Sequence, residues 1–170
     1  MSEWKKIIDN LNKIDYNSFF EDEYKKKTIQ SVVIRSIRKR LYFEGKDKND
    51  SILRTNAGKS SSNGHYADST ITIKKTNRQG RDRRTKNVTL HDTKYFYASM
   101  AMQPKKTHAS MIADFQKKGG HIFKNFTSSY GSIKEFESSI LGLNNEENNV
   151  LANMLAPDIS RKIVLKVFNV

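Results

Sequence analysis

FEDEYKKKTIQSVVIRSIRKRLYF, residues 20–43, sets Ile29, Val33, Ile37 and Leu41 four residues apart, with Tyr24 and Ile34 widening the ridge. That spacing keeps one side of a helix apolar and predicts one long helix over residues 20–43. Glu21, Asp22 and Glu23 in its first turn and Arg38 to Arg40 in its last complement the helix dipole, and Gly45 supplies a stop. Upstream, Trp4, Ile7, Ile8, Leu11 and Ile14 recur at three and four residue steps and predict a short helix over residues 4–14.

Downstream the pattern changes. Residues 45–69, GKDKNDSILRTNAGKSSSNGHYADS, hold only scattered apolar anchors among Gly, Ser, Asn and Asp, which marks a long polar loop. TITIKK (70–75) alternates and is β-branched, so it reads as a strand; NVTL (87–90), YFYASMAM (95–102) and THASMIADF (107–115) read as β as well. Pro104, Lys105 and Lys106 make the turn of a hairpin between the last two. Residues 122–130 read as a brief helix closed by Gly131. Ile133, Phe136, Ile140 and Leu141 then share a helical face, Asn144 with Glu147 resembles a capping box, and Val150, Leu151, Met154 and Leu155 continue the apolar face until Pro157 kinks or restarts the helix. The expected fold is α+β: one domain over residues 1–170, a small antiparallel β-hairpin packed against two or more helices, with long exposed loops.

Composition narrows the function. The 170 residues are 36% hydrophobic and 29% charged, enough for one packed core, and contain no cysteine, which excludes disulfide frameworks, thiolate metal sites and cysteine nucleophiles. No run approaches the roughly 18 apolar residues of a membrane span, and the first residues lack a signal-peptide core, so a protein used inside a cell and without a membrane partner is expected. Lys and Arg number 31 against 18 Asp and Glu, a net charge of +13. Residues 74–86, KKTNRQGRDRRTK, hold seven of those cations and one acid in an apolar-free run, which reads as an exposed basic loop. Lys74, Lys75, Arg78, Arg81, Arg83, Arg84 and Lys86 are therefore the candidate contacts to nucleic-acid phosphates or to an acidic partner.

Motifs for chemistry are weak. AGKSS (57–61) has Leu53 where a phosphate-binding P-loop requires its first glycine, and so reads as a flexible turn. His65, His91, His108 and His121 are too far apart for two to share a helix face, and Asp68, Asp82, Asp92 and Asp114 are isolated; neither a metal site nor any other cofactor is expected. His91 with Asp92 is the one conceivable catalytic pair, and no nucleophile elbow accompanies it; no enzymatic activity is expected. Tyr95, Phe96 and Tyr97 read as core and hairpin packing rather than a base-stacking platform.

Four pieces in order, LYFEGKDKNDSIL (41–53), HYADSTITIKK (65–75), NVTLHDTKYFYASM (87–100) and SSYGSIKEFESSILGLNNEENNVL (128–151), resemble small virion proteins of tailed phages infecting Bacteroidota, crAss-like phages included. Lys94 stands where that family's "L-x-D-T-G-x-F-Y" phrase has its turn glycine, and residues 46–64 form a longer, more serine-rich loop than is usual there. The resemblance implies a structural, non-catalytic protein of the neck or tail. It is similar to head-tail connector and tail-completion subunits that form rings of on the order of six or twelve copies, join portal or adaptor to tail around the DNA channel, and assemble in the host cytoplasm. It further implies that Asp92, Thr93, Phe96, Tyr97, Gly142 and Leu143 are oligomer or turn elements. The partners it implies are other copies, portal, adaptor or tail proteins, and packaged double-stranded DNA. The rival reading is a nonspecific nucleic-acid-binding phage protein acting outside the virion.

Overall fold

The computed structural model describes residues 3–61, 64–76, 82–91, 95–106, 108–117, 120–121, 126 and 132–168. Its fold is α+β. Helices α1 (Glu3–Asn12), α2 (Tyr16–Lys25) and α3 (Lys27–Lys39) come first, followed by a π-helical turn, Arg40–Glu44, and a short 3₁₀ turn, Ala57–Ser60. Helices α4 (Asp68–Thr76) and α5 (Tyr95–Ala98) precede strands β1 (Ala101–Pro104), β2 (Ala109–Ile112), β3 (Gln116–Lys117) and β4 (Gly120–His121). Helices α6 (Ile133–Leu141) and α7 (Asn145–Phe168) end the chain. The strands make two two-stranded sheets, β1 with β2 and β3 with β4.

Two compact units form, one from Met1–Val33, Met102–Ser110 and Asn145–Val170, the other from Ile34–Ala101 and Met111–Asn144. In the first unit, Phe19, Ile29, Val33, Met102, Leu155 and Val167 are buried. The expected single helix over residues 20–43 is broken at Lys26, whose backbone is extended (φ −65, ψ 125). At the break the Lys26 amine pairs with Glu23 at 2.6 Å and Asp158 at 2.6 Å. Glu23, buried in this core, also meets Lys162 at 3.1 Å, so its charge is matched from α7. Asp15 caps α2 by accepting from the backbone N–H groups of Asn17 and Ser18. Pro157 lies within α7.

The second unit is built around aromatic rings. Phe96 and Phe115 (5.1 Å between centroids), Phe115 and Phe136 (5.8 Å), and Phe136 and Phe126 (4.9 Å, stacked) form a continuous series. Ile37, Leu41, Leu53, Val88 and Ile140 are buried in the same unit. Gly45 ends the π turn in the left-handed region (φ 64), and a Cβ there would stand 2.7 Å from the Cβ of Asn87, so glycine satisfies both backbone and packing.

Two segments read as β, and the first half of a third whose end enters β1, are not. TITIKK lies in α4, where the Thr72 and Thr76 hydroxyls donate to the carbonyls of Asp68 and Thr72 four residues back; the period-two pattern would have buried Ile73, which is exposed. YFYA is one helical turn, because Phe96, Tyr97 and Met100 are all buried and a strand would send the adjacent pair to opposite faces. NVTL is buried but outside any ladder, since its polar backbone is satisfied by side chains: Thr89 N–H donates to the Tyr66 hydroxyl at 3.0 Å, and the Tyr97 hydroxyl donates to the Thr89 carbonyl. The hairpin turn stands, with Lys105 N–H donating to the His108 carbonyl at 2.8 Å. Of the brief helix expected over 122–130, only Phe126 lies among the described residues.

Candidate functional site: a braced basic segment

The π turn places consecutive aromatic side chains, Tyr42 and Phe43, at right angles with centroids 5.0 Å apart. Opposite them runs the end of the basic segment. Asp82, its lone acid, has a side chain only 3% exposed and is the hub. Its carboxylate accepts from Thr89 Oγ1 at 2.6 Å, from Tyr42 OH at 3.4 Å and from Arg84 N–H at 3.2 Å, and pairs with Lys74 Nζ at 3.3 Å. Burial pushes the Asp82 carboxyl upward, but the hydrogen bonds from Thr89 and Arg84 N–H and the charge of Lys74 outweigh it and hold the group below its ordinary value. Lys74 also lies over the Tyr66 ring at 4.8 Å.

Of the seven candidate cations, the structure brings Lys74 and Arg84 to this hub by opposite routes. Lys74, its side chain 15% exposed, spends its charge on Asp82; this corrects the expectation that every cation of the loop projects outward. Arg84 is exposed, with its guanidinium carbon 4.4 Å from the Tyr42 centroid and 4.5 Å from that of Phe43. Lys75, Arg83 and Lys86 are exposed, and Arg78 and Arg81 lie outside the described residues.

Tyr97 OH, Tyr66 OH and Thr89 continue the polar network inward, and the Arg38 guanidinium donates to the Tyr97 carbonyl. Burial raises the Tyr97 phenol far above its ordinary range, so it stays a hydrogen-bond donor. His91 packs between Tyr42 (5.3 Å) and Tyr97 (5.8 Å), and its ring Nδ1 is buried without a hydrogen bond among the described residues. Asp92 and Thr93 lie outside the described residues, so the His91 and Asp92 pair has no described geometry. Leu90, just before His91, occupies the left-handed region (φ 51), a conformation that costs a branched residue roughly 1 kcal/mol and turns the chain between Thr89 and His91.

Of the elements implied by resemblance, Phe96 and Tyr97 are interior residues of the second unit. The Gly142 carbonyl accepts from Arg40 Nη2 at 2.7 Å, and Leu143 is half-buried in the connection from α6 to α7. Arg40, expected in the basic last turn that complements the helix dipole, is 2% exposed and also donates to the carbonyls of Lys46 (3.1 Å) and Ile140 (3.4 Å), holding the end of α6 to the π turn.

The polar loop beyond Gly45 is ordered by Asp47. Its carboxylate accepts from the backbone N–H groups of Asn49 and Ser51 and from the hydroxyl of Ser139 on α6. Asn144, at the start of α7, donates its side-chain amide to Asp50 at 3.1 Å. A capping box joins Ser132 to Glu135 at the start of α6. The AGKSS segment forms the 3₁₀ turn: Gly58 is buried against the His65 carbonyl, and its N–H donates to Thr55 Oγ1 at 3.0 Å, so that amide is not offered to a phosphate.

Among the described residues, no group of three His, Asp or Glu side chains could hold a metal ion, and no helix is long and apolar enough to cross a membrane. No family model, curated protein or solved structure matches the chain. What the described residues of the site present is charge: exposed cations carried on a segment braced by Asp82.

Proposed function

We propose that this chain is a structural, non-catalytic subunit of a tailed phage particle, one copy in a ring of the head-tail connector, neck or tail, with its basic segment toward the DNA channel. The observation that supports it most is the apolar surface a lone copy leaves open. On α1, Trp4 is 75% exposed and Ile8, one turn on, is exposed as well; on α7, Val164 and Phe168 repeat the same spacing. Trp4 and Ile8, and likewise Val164 and Phe168, stand on one helix ridge each, and surfaces of this kind are covered in an assembly. A ring of copies joined head to tail covers them without a ligand or cofactor. The sequence resemblance supplies the setting, and the excess of Lys and Arg fits a polyanion in the lumen.

The test is genetic and structural. Particles assembled without this chain are expected to stall as DNA-filled heads separate from tails under the electron microscope. Infectious tailed particles formed normally in its absence would overturn the reading.

A further inference from the structure

Arg84 is held differently from its neighbours. Its guanidinium sits in the corner formed by the perpendicular Tyr42 and Phe43 rings, within 4.5 Å of both centroids. Tyr42 is fixed in turn, because its hydroxyl reaches the same Asp82 oxygen that accepts the Arg84 backbone N–H. One nearly buried carboxylate thus positions both the backbone that carries the guanidinium and a ring that it stacks on.

A guanidinium held over aromatic rings by cation–π attraction can keep its N–H groups for a ligand, and that planar fork matches two oxygens of a phosphate or a carboxylate. Arg84 is exposed, and among the described residues no hydrogen bond or ion pair engages its guanidinium. Lys75, Arg83 and Lys86, on the same segment, are exposed too. The segment's lone acid is consumed internally by Lys74 and Thr89, so nothing in it offsets these outward charges. A row of uncompensated cations fits a row of anions better than a single carboxylate.

We propose that Arg84 is a fixed phosphate anchor for duplex DNA: a guanidinium preset by Tyr42, Phe43 and Asp82 to take one backbone phosphate bidentately, with Arg83 and Lys86 adding mobile charge. Lys74 is not a phosphate contact but part of the brace. The choice of DNA as ligand rests on the reading of the chain as a channel subunit; the preset geometry of Arg84 does not.

The experiment is fluorescence anisotropy of a labelled random-sequence duplex titrated with the full-length chain across a series of NaCl concentrations, with folding of each variant checked by circular dichroism. Arg84→Lys keeps the charge but loses the fork and the stacked plane, and is expected to weaken binding about five- to tenfold with the salt slope unchanged. Arg83→Lys is expected to bind within about twofold of the wild type, since a mobile charge is interchangeable. Arg84→Ala should lower the slope of log K against log salt by about 0.9, the signature of one lost phosphate contact. Equal effects of the two lysine substitutions, or an unchanged Arg84→Lys, would overturn the anchor. Polyglutamate competing as strongly as DNA at equal charge would also overturn it, in favour of an acidic protein partner. Loss of the anchor in this assay leaves the virion reading standing, and absence of the chain from particles leaves the anchor standing, so the two fail separately.

Discussion

Replacing Asp82 by Asn should loosen the brace without changing its shape. The amide is close in size to the carboxylate; its one oxygen can keep Tyr42 and Arg84 N–H while its NH2 faces Thr89, whose hydroxyl can turn to accept, so the substitution chiefly removes the charge felt by Lys74 at 3.3 Å. At an effective dielectric near 20, that pair is worth about 5 kcal/mol before desolvation. Burying the two groups returns much of it, leaving an expected net loss of about 1–3 kcal/mol when Lys74, 15% exposed, is stranded without its counter-charge. Asp82→Ala should cost more, about 3–5 kcal/mol, because it also removes the 2.6 Å acceptor of the Thr89 hydroxyl in a fully buried position and the acceptor of the Tyr42 hydroxyl. Urea unfolding at pH 7, followed by circular dichroism, measures both. Adding Lys74→Met closes a double-mutant cycle, with an expected coupling of about 1–2 kcal/mol. The pH dependence has a defined sign: the Asp82 carboxyl is held below its ordinary value, so its contribution is present above about pH 4 and disappears as pH falls through the depressed value. Asp82→Asn should lack that part of the acid limb. A stability within about 0.3 kcal/mol of wild type, with no coupling to Lys74, would refute the hub.

Arg40→Met should cost the second unit about 3–5 kcal/mol, because the carbonyls of Lys46, Ile140 and Gly142 stay behind without their donor; with a urea dependence near 2 kcal/mol per molar, the midpoint falls by about 2 M. Gly58→Ala would place a Cβ 2.0 Å from the His65 carbonyl oxygen, and the backbone shift needed to relieve it should cost about 1–3 kcal/mol and speed limited proteolysis within residues 54–65. Gly64→Ala meets nothing within 4 Å and should cost only about 1 kcal/mol, for its left-handed backbone. Trp4→Ser and Ile8→Ser should leave the melting temperature nearly unchanged, since both side chains are exposed, yet lower self-association roughly thirtyfold per substitution, measured by sedimentation equilibrium.

The helical ends of the chain were legible because their burial is periodic. The ridge from Ile29 to Leu41 and the face of Phe136 and Ile140 depend on spacing alone, and both are buried as expected. The break at Lys26 was not, since no proline or glycine marks it; a buried Glu23 drawing in Lys26 and Lys162 is a long-range reason that local pattern does not carry. The β readings failed where β-branched or aromatic residues serve other ends: Thr72 bonds back to its own helix, and Phe96 and Tyr97 are both pulled into one core. At the site, the surplus of cations was plain, but their division was not. Asp82 looked like a stray acid, and only its folding against Thr89 and Tyr42 makes it a hub. The one available hint was the aromatic pair, Tyr42 and Phe43, ending two residues before the stop glycine Gly45.

We propose that copies of this chain form a closed element of a phage particle. Counting copies per purified particle against the portal, by mass spectrometry with isotope-labelled peptide standards, tests it most directly. A fixed number close to six or twelve, unchanged through density-gradient purification and high salt, is the expected result. A count near zero, or one that falls away as the particles are washed, would contradict it.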